Sequence, residues 1–139
     1  MTRGAATAAW GSMVVLPFFF MAVADSARWG AVRAEAATPL FWLTVAVSAV
    51  AIAASRLLPL RLGPFHAGAE ATAFTRLLVA WALCEAAALF PMVAWIVAGD
   101  LRLLGVFGID VLALVLLFPS DHRWASLRPG AAPSARRSR

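Results

Sequence analysis

Glu85 and Asp110 are carboxylates set in stretches that otherwise have the composition of membrane spans. Glu85 is the only strongly charged residue in Leu77–Gly99, LLVAWALCEAAALFPMVAWIVAG, and Asp110 lies in the next apolar run, Leu103–Phe118. An acid at bilayer depth is costly, so each is a functional-site candidate by default. Glu85 lies eight residues after Leu77 and Asp110 eight before Phe118. At 1.5 Å per residue, each is then roughly 12 Å from the same membrane face. Carboxyls that could face each other at this depth cannot both ionise cheaply, so the pair is a candidate proton or ion site. Pro91 follows Glu85 by just over one turn, removes the hydrogen bond to the Ala87 carbonyl, and is expected to kink the helix. Pro17 is the equivalent position in the first apolar run. A freed carbonyl near an acid is a feature of ion sites in broken membrane helices. The structural alternative is packing glue, with a protonated Glu85 hydrogen-bonded to Thr44 or Ser48 of a neighbouring helix.

Other chemistry is sparse. Cys84 is the sole cysteine, which rules out an internal disulfide and suits a small packing residue. His66 and His122 are far apart in loops and share no ligand spacing. There is no phosphate-cradling glycine loop, no nucleophile with a base and no metal cluster. The chain is therefore expected to be non-catalytic, without cofactor or metal.

The elements that must position the two acids follow from composition. The chain is 63% hydrophobic and 14% charged, far from a soluble domain. Four apolar runs occupy most of its 139 residues, predicting helices that span about 5–24, 39–58, 75–98 and 101–118. None carries the polar stripe that a soluble bundle helix shows. The expected class is all-α: a polytopic membrane protein whose domain, residues 1–119, is an antiparallel four-helix bundle. Residues 120–139, rich in Arg, Ser, Pro and Ala, read as a disordered cytoplasmic tail. Residues 1–24 also resemble a signal peptide, with Arg3 ahead of the apolar run and Ala22-Val23-Ala24 ahead of Asp25; a retained first helix is the preferred reading.

Between the runs, Pro39 suits a helix start, Pro59, Gly63 and Pro64 break the second loop, and Gly99-Asp100 closes a tight hairpin. Ala67–Arg76 either begins the third helix early or lies on the membrane surface. Ala49 with Ala53 and Ala82 with Ala86 have small-xxx-small spacing for close helix approach.

The net charge of +5 comes entirely from arginine, without the basic stripe of a nucleic-acid binder. Four spans would put nine arginines with both termini and the second loop, and three (Arg28, Arg33, Arg102) on the other side. The positive-inside rule then places both termini in the cytoplasm and the chain in the inner membrane. Trp10, Trp29, Trp42, Trp95 and Trp124 fall at or just beyond expected span ends, with Trp81 about one turn inside, as in an interfacial aromatic belt.

The segment Ala82-Leu83-Cys84-Glu85-Ala86-Ala87-Ala88-Leu89-Phe90 resembles the ion-binding helix of rotor-ring proteolipids, the c subunits of rotary ATP synthases. Arg61–Pro64 is similar to the basic, proline-containing loop of their hairpin. The resemblance implies a proton-carrying role for Glu85. Two features depart from that family: Leu40–Ser55 contains no glycine where the partner helix has a glycine repeat, and Pro91 interrupts the ion-binding helix. Two functions are therefore expected of a chain whose surroundings are the bilayer and other membrane proteins. The first is an accessory or assembly subunit of a membrane complex. The alternative is a proteolipid-like proton-handling subunit using Glu85 with Asp110.

Overall fold

The computed structural model describes residues 2–26, 34–63 and 68–128. His66, Arg28, Arg33, Trp29 and the tail beyond Arg128 lie outside them. The described residues form helices without a strand: α1 (Arg3–Ser26), a single 3-10 turn (Ala34–Ala36), α2 (Ala37–Arg61), α3 (Ala69–Ala98), α4 (Arg102–Val115) and the short α5 (Asp121–Ser126). Three of them, α1, α2 and α3, are long and apolar enough to cross a membrane. The fourth is shorter than expected. Its 14 residues would rise about 21 Å, against a hydrocarbon core of about 30 Å.

α3 is the centre of the molecule, in contact with α1, α2 and α4. Half of its most apolar stretch is buried, against 11% for α1 and for α2. Its inward seam repeats every seven residues: Ala73, Ala80, Ala87 and Ala94 interleave with Leu77, Cys84, Pro91 and Ala98, and all are buried. That alternating three–four spacing keeps one face turned toward neighbours along the whole helix. The alanines allow close approach of backbones. The small pairs singled out by spacing, Ala49 with Ala53 and Ala82 with Ala86, instead face outward. Alanine is frequent on every face of these helices, so a four-residue spacing alone does not select the buried one.

Side chains and turns set the helix limits. Pro39 sits in the first turn of α2, where its missing N–H has no helical acceptor to lose. α2 continues through Pro59 to Arg61, so Pro59 belongs to its last turn and not to the loop. α3 starts early, at Ala69, which decides between the two readings of Ala67–Arg76 in favour of helix. It runs unbroken through Pro91 and stops at Gly99, whose φ of 67° is left-handed and whose N–H reaches the Trp95 carbonyl at 2.7 Å.

The end of α4 is closed by groups from four other places in the chain. Carbonyls at this terminus accept the Trp10 indole N–H (Leu114, 3.2 Å), the Trp81 indole N–H (Leu117, 3.1 Å) and the Arg123 guanidinium (Leu116, 2.5 Å). Arg3 bonds the Pro119 carbonyl at 3.1 Å and pairs with Asp121. Ser120 then caps α5 by accepting the Arg123 N–H. The start of the segment read as a disordered tail carries α5, and its Trp124 and Leu127 are 5% and 7% exposed. Their burial against the bundle holds a segment whose composition alone reads as solvated.

The tryptophans of the expected aromatic belt divide between core and surface, and Trp29 lies outside the described residues. Trp81, Trp95 and Trp124 are core residues, 0–5% exposed, while Trp42 is 64% exposed. Apolar runs locate the helix ends, but sequence does not fix the rotation that turns an indole inward.

Candidate functional site

Asp110 is fully buried on α4. Its Oδ2 accepts a hydrogen bond from the Ser48 hydroxyl of α2 at 2.8 Å, and its buried Oδ1 has no partner among the described residues. Two apolar clusters flank this level. One gathers Leu77, Trp81, Leu114 and Trp124. The other gathers Met92, Trp95, Leu103 and Phe107. Asp110 thus lies along α4 between apolar layers, with one hydroxyl donor and no cation bonded to it among the described residues.

The hydroxyl belongs to a stripe. The buried residues of α2 are Thr44, Ser48, Ser55 and Pro59, whereas Trp42, Leu43, Val50 and Leu57 are exposed. Thr44, Ser48 and Ser55 are spaced by four and seven residues, one face of a helix. α2 is therefore polar inward and apolar outward, the inverse of a soluble bundle helix. Thr44 returns its hydroxyl to the Leu40 carbonyl at 2.7 Å and Ser55 to Ile52 at 2.7 Å, leaving Ser48 as the hydroxyl that crosses to α4. The run does have a polar stripe, made of hydroxyls, and its spacing is the signal that would have revealed it.

Glu85 is half-buried on the border between the α3 seam and its outward face, where Leu78, Ala82, Ala86, Val93 and Val97 are exposed. No hydrogen bond or ion pair joins it to any described residue. The bond to Thr44 or Ser48 expected of it is not formed; those hydroxyls donate to the Leu40 carbonyl and to Asp110. The two acids are likewise not joined to each other. Asp110 points to α2, and Glu85 stands apart at the edge of α3. Nor does Glu85 share a face with the carbonyl freed by Pro91. Ala87 is 1% exposed and inward, and residues two apart on a helix are about 200° apart.

Pro17 and Pro91 are both buried within their helices. Cys84 is a free, fully buried thiol in the α3 seam. No group of three potential metal ligands occurs among the described residues. His122 is exposed on α5.

Comparison with known protein families, curated proteins and solved structures finds no match. The site must be read from its own chemistry. One sealed carboxyl with a hydroxyl partner can fix the rotation of α4 against α2. One half-exposed carboxyl without a partner among the described residues can meet a group that comes from outside the chain.

Proposed function

We propose that this chain is a small non-catalytic inner-membrane protein of four antiparallel spans, acting as an accessory or assembly subunit by packing against another membrane chain. Glu85 is the observation that carries the reading. A carboxyl on an apolar face at membrane depth needs a hydrogen-bonding partner, and none is found among the described residues. A second membrane chain, bonding Glu85 and covering Leu78, Ala82 and Val93, supplies it. Asp110 with Ser48 then serves as internal glue. Support for four spans and cytoplasmic termini comes from the nine arginines assigned to one side. Contacts of Arg3 with Pro119 and of Arg76 with Leu62 and Leu127 also gather one end of every long helix.

Particle size in mild detergent tests the proposal. The wild-type chain is expected to elute as a complex larger than one copy, Glu85→Gln to retain it, and Glu85→Leu to release a folded monomer. A wild-type monomer, or a complex indifferent to Glu85→Leu, counts against it.

The second reading is a proteolipid-like proton handler, favoured by the exposure of Glu85 toward lipid. Glu85 would be the sole carrier, since Asp110 is bonded elsewhere. Carbodiimide modification in membranes discriminates. Labelling of Glu85 that fades as pH rises, together with loss of activity in Glu85→Gln, supports proton handling; an unlabelled Glu85 supports the subunit reading.

A further inference from the structure

At the end of the molecule opposite the α3–α4 hairpin, three arginines from three elements line one cavity of about 140 Å³. They are Arg56 of α2, Arg76 of α3 and Arg123 of α5. The space is well above the roughly 10–15 Å³ that admits a water, and no acidic residue lines it. The nearby acids are engaged with other arginines: Glu70 with Arg128 at 3.0 Å and Asp121 with Arg3.

The guanidiniums are incompletely satisfied. Each has five N–H donors and no acceptor. Arg76 bonds the carbonyls of Leu62 (2.5 Å) and Leu127 (2.7 Å), while its buried Nε has no partner among the described residues. Arg123 gives its Nη1 to the Leu116 carbonyl. Arg56 bonds no described residue. Burial, and then the neighbouring Arg56 charge, hold Arg123 below the usual arginine range. Three like charges around one void are what an anion would relieve, and arginine forks match the oxygens of phosphate.

We infer that this cavity binds a phosphate oxyanion held by Arg56, Arg76 and Arg123. Its depth is that of the headgroup layer: Arg56 closes the apolar run Leu40–Ser55, Arg76 immediately precedes Leu77, and Arg123 follows Phe118 by five residues. The oxyanion is supplied by an anionic lipid headgroup or by a soluble phosphate, and the two sources are separable. The site is distinct from Glu85 and stands whether or not that residue meets a partner.

The test uses the full chain in phosphatidylcholine nanodiscs, with or without phosphatidylglycerol, and native mass spectrometry to count retained lipid. A parallel thermal-unfolding series adds inorganic phosphate in phosphatidylcholine alone. Arg56→Gln is the informative variant, because Arg56 bonds nothing within the described residues; its fold is checked by helical circular dichroism. Arg102→Gln, at the opposite end, is the control. Retention of phosphatidylglycerol that weakens about tenfold in Arg56→Gln and persists in Arg102→Gln supports the site and names a lipid headgroup. A phosphate-dependent rise in Tm with the same variant pattern supports it and names soluble phosphate. Absence of both responses, or equal responses in the two variants, overturns the inference.

Discussion

A single hydroxyl is the donor that the buried acid meets among the described residues. Ser48 bonds Asp110 at 2.8 Å, and the other carboxyl oxygen has no donor among the described residues. Removing the donor should therefore matter more than removing the acidity. Ser48→Ala is expected to destabilise the chain by about 1 kcal/mol, within the range of interhelical hydrogen bonds in membranes. Asp110→Asn keeps an acceptor for Ser48 and should shift stability by less than about 1 kcal/mol. Unfolding of the purified protein by dodecyl sulfate measures both. A severe loss in Asp110→Asn would show that the carboxyl does more than hold α4 against α2.

At the scale of elements, the α3–α4 hairpin is the most tightly specified feature. Gly99 adopts a left-handed φ of 67°. Gly99→Ala should therefore cost about 1 kcal/mol in the same assay. Beside it, the Arg102 side chain and backbone N–H bond the Asp100 carboxylate, at 2.7–3.1 Å, and hold its pKa below the usual 3.8. A folded-state pKa depressed in this way gives stability that is fully present above the unfolded value and lost as pH falls through the folded one. Thermal unfolding of wild type and Asp100→Asn should thus differ by a constant amount above about pH 5. The two curves should converge only in stronger acid. This hairpin was legible in sequence because Gly-Asp between two apolar runs has one economical geometry. The helices were legible from the same runs, although α4 ends early because side-chain donors and Pro119 close it. Rotation was not legible. Alanine appears on every face of α3, and the depth estimate that paired Glu85 with Asp110 said nothing about which way either points. The capped α5 escaped notice because two buried side chains, Trp124 and Leu127, outweigh a polar composition.

For the whole molecule, the distribution of polarity is reversed relative to a soluble bundle. Phe19, Trp42, Val50 and Leu60 are at least 60% exposed, while Thr44, Ser48 and Asp110 are at most 4% exposed. Such a surface is compatible with lipid, and it makes the membrane topology testable. With Cys84→Ala as background, Gly63→Cys and Leu101→Cys place single thiols at opposite ends of α3. In intact cells an impermeant maleimide is expected to label Leu101→Cys and to reach Gly63→Cys only after permeabilisation. The reverse pattern would invert the orientation read from the arginines.

The burial of the indoles gives the protein an optical signature of its own. The chain has six tryptophans and no tyrosine, so its near-ultraviolet fluorescence is dominated by indole emission. Trp81, Trp95 and Trp124 report from the core, and Trp42 reports from the exposed surface. Brominated acyl chains should therefore quench one emitting population by direct contact and leave another shielded. Loss of helix packing would merge the two, making assembly of the bundle visible without any label.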